Sequence, residues 1–274
     1  DVWLKLRPLA FEKHPYSWPT IGKEISHIED ATMDDVKSFF NAHYHPGNAV
    51  LVLAGDITEE KALELTSKWF GPIPGKDQDV AEVAKEPEQK QAKKMEIKAK
   101  VPADALYKVY HMAGRIGKDY HSADLLSDLL GRGKSSILHQ ELVKKKPMFS
   151  SLSAHVTGSF DPGLFVISGK LLPGVSMEDA DKEVQKVIEP IYKGVEAREV
   201  EKVKNQAEAT TIFAEVDLLN RAMGLAYAAF LGDIDLINTE LDLIKSVTAE
   251  DIVESAKKIL REENSTTLYY LSEK

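Results

Sequence analysis

The sequence predicts an α+β protein built around a duplicated unit, and three observations carry that reading. Segments with the apolar spacing of helices are interspersed with short strand-like runs, two of those runs flank a tight turn, and one helix–strand segment recurs at a fixed distance. The 274 residues suffice for one large domain or two ordinary ones. A 43% hydrophobic share supports a packed core and excludes a disordered chain. The net charge of −9 argues against a broad nucleic-acid or anionic-membrane surface. With no cysteine, disulfides, thiolate zinc sites and cysteine nucleophiles are excluded. The longest clean apolar run, Ala49 to Ala54, is far short of the roughly 18 residues of a membrane span.

Along the chain, Val2, Trp3, Leu6, Leu9 and Phe11 give one helical face, limited by Pro8. After a turn-rich passage, residues 32–45 read as a helix. Thr32 caps it, Asp34 and Asp35 favour its first turn, and Val36, Phe39 and Phe40 form its apolar side. Pro46-Gly47-Asn48 stops that helix, Ala49 to Ala54 reads as a buried strand, and Thr58 caps a helix ending near Phe70. From Gly75 to Lys100, thirteen of 26 residues are charged, which reads as a linker. Leu106 to Met112 is strand-like and Tyr120 to Leu130 helical, and Ser135 opens a helix over 136–146. Leu152, Ala154 and Val156 alternate as a strand. Phe160-Asp161-Pro162-Gly163 turns the chain into a second strand, Leu164 to Leu172, which predicts a hairpin. Ser176 and Asp179 resemble a capping box for a helix to about Tyr192. The pattern from Glu196 to Leu231 is almost continuously helical, with Met223, Leu225, Tyr227 and Phe230 as core. Two helices, about 235–245 and 249–260, precede a last strand, Thr266 to Leu271.

Thr32-Met33-Asp34-Asp35-Val36 matches Thr248-Ala249-Glu250-Asp251-Ile252 at an offset of 216. Without a gap, the same offset pairs Leu9 with Leu225, Ile25 with Leu241, Ile28 with Ile244 and Asn48 with Asn264. A duplicated unit of this size implies a nearly complete second copy and only the end of a first, lacking roughly 120–130 residues. The domain reading is a remnant of the first unit over 1–75, a charged linker over 76–95, and a second, non-catalytic unit over 96–274. Separated from the rest of its sheet, the run 49–54 would dock within the chain or pair through a free edge with another copy, and the second is favoured.

Several passages carry a family resemblance: His14-Pro15-Tyr16…Pro19-Thr20-Ile21-Gly22, then Tyr44-His45-Pro46-Gly47-Asn48 running into Gly55-Asp56. Further on come Leu129-Leu130-Gly131…Ser135-Ser136-Ile137-Leu138…Glu141-Leu142-Val143 and Asp161-Pro162-Gly163-Leu164-Phe165. In order and spacing the chain resembles the pitrilysin/insulinase-like zinc metallopeptidases, the inverzincins. It is most similar to the two-domain branch of mitochondrial processing peptidase subunits and their bacterial relatives. The resemblance implies units of mostly antiparallel sheet backed by helices, facing one another across a substrate chamber. It also implies a zinc site on an H-x-x-E-H helix of the first unit, with the motif glutamate as general base. None of the eight histidines (His14, His27, His43, His45, His111, His121, His139, His155) begins that pattern, so no catalytic residue and no metal ligand is assigned here. The family's substrate-gripping Arg and Tyr, seven residues apart, fall on Val143 and Ser150, which cannot replace them.

The resemblance therefore implies the C-terminal portion of a zinc-dependent endopeptidase acting on peptides, inactive alone, with zinc held in the parent protein and no cofactor in this chain. The alternative is a non-catalytic scaffold or partner subunit of a heteromeric peptidase or protein complex. It further implies homo- or hetero-oligomers of family subunits, no nucleic-acid partner and no membrane span. The compartment is left between bacterial periplasm and cytoplasm, tilted to the periplasm.

Other constellations carry less. Gly131-Arg132-Gly133-Lys134-Ser135-Ser136 has Asp128 where a phosphate loop needs its first glycine, so a Gly-rich turn is the reading. His43 and His45 point to different sides of a helix end. Ser151, Ser153 and His155 share one solvent-facing side of a strand without a nucleophile-elbow pattern. Lys144-Lys145-Lys146 solvates a helix end.

Overall fold

The computed structural model describes residues 2–75 and 82–273. Among them the helices are α1 (Val2–Ala10), α2 (Ser26–Glu29), α3 (Met33–His43), α4 (Glu59–Phe70), α5 (Tyr120–Gly131), α6 (Ile137–His139), α7 (Met177–Ile188), α8 (Ala197–Ala214), α9 (Leu218–Phe230), α10 (Leu236–Ser246) and α11 (Ala249–Ile259). The strands are β1 (Lys93–Ala99), β2 (Ala105–Met112), β3 (Phe149–Val156), β4 (Gly163–Leu171) and β5 (Ser265–Ser272). The chain gathers into two compact units, neither continuous in sequence. A sheet unit comprises Asp1–Trp18, Ala84–Glu208 and Asp242–Lys274; a helical unit comprises Pro19–Val83 and Ala209–Leu241.

The sheet has the order β1-β5-β2-β4-β3. Only β1 and β5 run parallel, with Lys93 opposite Thr266; the other pairs are antiparallel. The mostly antiparallel, helix-backed architecture predicted for the unit is the one observed. Alternation along β4 sorts its side chains between two cores. Phe165 and Ile167 join Leu126, Leu129, Val184 and Ile252 under helices α5, α7 and α11. Leu164 and Val166 face the other way, where α1 brings Leu6, Ala10 and Phe11 onto Val109 and Leu268. At the end of α5 a side chain on Gly131 would lie 1.7 Å from the Ala154 amide, so only glycine lets that helix meet β3.

The two similar sequence segments make matching local bonds. In α3 the Thr32 hydroxyl accepts from the Asp35 amide (3.2 Å) while the Asp35 carboxylate accepts from the Thr32 amide (2.9 Å); Thr248 and Asp251 repeat these bonds in α11 at 3.1 and 2.8 Å. Each helix runs into a short 3-10 turn, Pro46–Asn48 or Glu262–Asn264. The Asn48 side-chain amide donates to the His43 carbonyl and that of Asn264 to the Ile259 carbonyl, both at 2.8 Å. Asn264 also donates to the carbonyl of His111 at the end of β2 (2.9 Å), a bond Asn48 is not seen to make.

Several expectations are corrected. Residues 49–54 form no strand, and Val50, Leu51 and Leu53 are exposed, because the described residues offer that run no neighbouring strand. Met223, Tyr227 and Phe230 are exposed rather than core. The helical stretch from Glu196 breaks at residues 215–217, where Asp217 caps α9 by accepting from the Asn220 amide (2.9 Å). Strand β1 was hidden by its charge: Lys94, Glu96 and Lys98 point outward, while Met95 and Ile97 pack against the α1 side of the sheet. Ser136, not Ser135, precedes α6. Linker residues 76–81 lie outside the described residues.

The two asparagines allow a controlled comparison. Asn264→Ala leaves two carbonyls in a buried setting without their donor and should cost about 2–3 kcal/mol, whereas Asn48→Ala should cost under about 1 kcal/mol. Urea unfolding midpoints of the two variants measure the difference.

Candidate functional site

The two positions singled out by the family resemblance both sit on backbone irregularities. Helix α6 continues into a π-helical turn over Gln140–Lys145, in which the Lys146 amide donates five residues back to the Glu141 carbonyl at 2.8 Å. Such wide turns are costly and recur at functional sites. Val143 lies on this turn, half-buried against the main core. Pro147 ends it, and β3 follows with a bulge: Phe149 pairs with Leu171 and Ser151 with Lys170, leaving Ser150 as the extra residue. A bulge redirects the side chain it carries. Ser150 is exposed, and its hydroxyl donates to the Lys170 carbonyl at 3.2 Å. The framework presents both positions, but valine offers no polar group and the serine hydroxyl is engaged by backbone.

Two of the motif passages meet. The Nδ1 atom of buried His14 accepts from the Tyr16 amide at 3.1 Å, and its Nε2 lies 3.3 Å from the Asp161 carboxylate. The Asp161 amide in turn donates to the Tyr16 hydroxyl at 3.3 Å. His14-Pro15-Tyr16 and Asp161-Pro162-Gly163 thus form one latch that fixes the end of α1 to the β3–β4 turn.

The segment from Ala84 to Gln91 is fastened to the same region. The Glu86 carboxylate accepts from the amides of Glu12, Lys13 and His14 at 2.7–2.9 Å. Burial would raise its pKa, but those three donors outweigh it and hold the carboxyl below its usual value. Gln89 donates to the carbonyls of Glu263 and Ser265 at 3.1 and 2.7 Å. His111, on β2, lies 2.9 Å from the Ala10 carbonyl, and burial lowers its pKa. A cavity of about 200 Å³ is lined by Glu86, Gln89, His111, Arg261 and Asn264. Sequence reading missed this cluster because its hydrogen bonds join residues up to 176 positions apart. It missed a second one for the same reason. Buried Lys108 pairs with Asp181 at 2.8 Å, Asp181 also accepts from the Tyr269 hydroxyl at 2.9 Å, and burial followed by that carboxylate raises the Tyr269 pKa. A paired and satisfied buried charge is a device for fixing α7 on the sheet.

The remaining candidates resolve into structure. Asp128 accepts from Arg132 at 2.8 Å, and Gly133 turns the chain with φ +75°. Ser151, Ser153 and His155 point outward along β3. Lys145 and Lys146 pair with Glu141 and Glu183. His45 is buried with neither ring nitrogen hydrogen-bonded. Among the described residues no group of three His, Cys, Asp or Glu side chains could hold a metal ion, so the residues present do not fit a zinc site. No helix among them is long and apolar enough to cross a membrane.

The candidate positions thus sit on a π-helical turn and a β-bulge of a helix-backed sheet. Comparison with known proteins agrees. Residues 30–207 match the family model described as peptidase M16 inactive domain. The chain is 30% identical over 266 residues to the zinc protease PqqE of Helicobacter pylori, covering 95% of this chain and 59% of that protein. A crystal structure of a protease from Helicobacter pylori superposes with TM-score 0.88 at 27% identity, over 98% of this chain and 65% of that one. The peptidase M16 inactive domain from Pseudomonas fluorescens does so with TM-score 0.86 at 20% identity, over 99% and 65%. The fold alone is shared with a chain of complex III2 from Candida albicans (TM-score 0.80, 14% identity, 97% of this chain and 65% of that one) and with the periplasmic protease PqqL from Escherichia coli (TM-score 0.64, 14% identity, 80% and 25%). The chain belongs to the peptidase M16 family. It spans 54–62% of the length of the curated relatives it matches.

Acidification should loosen the α1 clasp. His111 has its folded pKa below its unfolded value of about 6.5, so its contribution is lost as pH falls below that value. Glu86, held below its unfolded value, loses its contribution further down, as pH falls through its folded pKa. Melting temperature should therefore fall from pH 7 to pH 5. His111→Gln, which keeps a donor for Ala10, should flatten the upper part of that slope.

Proposed function

We propose that this chain is the C-terminal portion of a zinc-dependent endopeptidase acting on peptides, and that it forms the non-catalytic wall of the substrate chamber. The observation that carries this reading is the match of residues 30–207 to the inactive domain of a peptidase family, joined to relatives named zinc proteases. In this reading residues 1–75 close the catalytic unit, 76–95 link it, and 96–274 form the second unit, whose Val143 and Ser150 face the chamber without gripping substrate. Zinc belongs to the upstream part of the protein, and the compartment is the bacterial periplasm or cytoplasm, the periplasm favoured by the shared fold with a periplasmic protease. A second reading, a scaffold or partner subunit in a homo- or heteromeric assembly, is supported by the two altered positions and by the shared fold with a complex III2 chain.

The test is cleavage of unstructured fluorogenic peptides by the full-length protein. Activity abolished by a chelator and restored by zinc supports the peptidase; no turnover under any metal loading supports the scaffold. The 274-residue chain alone should not cleave and, after dialysis against zinc, should hold well under one tightly bound ion per chain by elemental analysis. Stoichiometric zinc surviving mild chelation would place the site in this chain.

A further inference from the structure

The cavity of about 200 Å³ beside His111 lies wholly within the sheet unit. It is larger than the roughly 150 Å³ void that takes a benzene ring and smaller than the roughly 300–1,000 Å³ of sites for drug-sized ligands. The occupant it admits is one small molecule. Its walls are apolar at Pro87, Met112, Ala113, Pro162 and Ile259, of which Met112 and Ile259 are buried. Two ion pairs with exposed members, Lys258 with Asp119 and Arg261 with Glu88 (3.2 Å), bring both signs of charge to the same cavity.

The remaining polar lining divides into engaged and idle groups. The Glu86 carboxylate is taken by three backbone amides, and Gln89 is engaged at both ends of its side-chain amide. Asn264 is 4% exposed. Its Nδ2 donates to two carbonyls, which fixes the orientation of the amide, and among the described residues nothing donates to its Oδ1. The His111 Nε2 faces the Ala10 carbonyl and so carries the hydrogen, which leaves Nδ1 as an acceptor without a donor among the described residues. Burial lowers the His111 pKa and keeps the ring neutral at pH 7.5. An idle acceptor on a buried side chain is unfavourable until something donates to it. The missing partner therefore carries an N–H or O–H group on an apolar body.

The ion pairs define the other end of that partner. Exposed pairs hold together weakly, so each member can exchange its partner for a charge on a ligand. A ligand with one charge would satisfy one member of a pair and strand the other. A zwitterion satisfies both: its ammonium meets Glu88 or Asp119 while its carboxylate meets Arg261 or Lys258.

We propose that this cavity binds a free amino acid whose side chain is a ring with a hydrogen-bond donor, of the tryptophan or tyrosine kind. The ring lies against Met112 and Ile259, its donor reaches the Asn264 Oδ1 or the His111 Nδ1, and the charged head exchanges with the two ion pairs. Because Glu86 to Gln89 form one wall, the bound amino acid also braces the segment that clasps the end of α1. The proposal does not depend on zinc chemistry, and the test is made with a chelator present so that the two cannot be confused.

Calorimetric titration of the full-length protein with L-tryptophan at pH 7.5 should show one saturable site per chain. N-acetyl-L-tryptophan and L-tryptophan amide each lack one charge, L-phenylalanine lacks the donor, and each should bind about ten-fold more weakly, a difference of about 1.4 kcal/mol. Arg261→Gln, at the exposed ion pair, should weaken L-tryptophan by a similar factor. Lys257→Gln, on the same helix but outside the cavity lining, should leave it unchanged. Absence of saturable binding up to about 10 mM, well above a 1 mM dissociation constant, would overturn the proposal. Equal affinity for any of the three analogues would do the same, and so would tryptophan binding that Arg261→Gln leaves intact, since the ligand would then sit elsewhere.

Discussion

A strand inside a sheet must satisfy amides and carbonyls on both edges while burying side chains on both faces. That double requirement, met at β5, organises the sheet unit. β5 runs parallel to β1 and antiparallel to β2, and its alternate side chains enter the two cores that α1 and the α5–α7–α11 layer enclose. The 3-10 turn before β5, the Asn264 bonds and the Gln89 clasp all serve to deliver it in register. Where the same helix–turn–strand sequence lacks flanking strands, at 49–54, the local motifs survive and the strand does not. Capping boxes and turns are bought by neighbours in sequence; a strand depends on neighbours in space.

That distinction explains what could be read from the residues alone. The helices from Thr32, Thr58 and Thr248 and the hairpin around Asp161-Pro162-Gly163 were legible because caps, turns and alternation act over a few positions, whereas the mostly antiparallel sheet was implied by the family resemblance. Strand β1 was not legible. Its outward lysines and glutamate give it a linker's composition, and only its pairing with a strand far along the chain reveals Met95 and Ile97 as core. Exposure was misjudged at Met223, Tyr227 and Phe230 because a helical stripe says which side is apolar, not whether anything lies against it.

The backbone around Val143 and Ser150 departs from regular geometry. A π-turn carries Val143 and a β-bulge carries Ser150, whose hydroxyl donates to the Lys170 carbonyl. Contacts among His14, Tyr16 and Asp161, and among Glu86, His111 and the end of α1, instead do the positioning. None of these was recoverable from spacing, since each joins segments separated by most of a domain.

The parallel pairing of β1 with β5 also governs when the protein can fold. Lys93 waits for Thr266, so the inner strand of the sheet is synthesised after the other four strands. Until then β2 has a bare edge, and α1 has only part of the surface it will cover. Local helices can form during synthesis, but the sheet cannot close. Closure of this sheet is therefore an event of high contact order, and a nascent chain stalled before residue 265 would present an open sheet edge to chaperones or to other nascent chains.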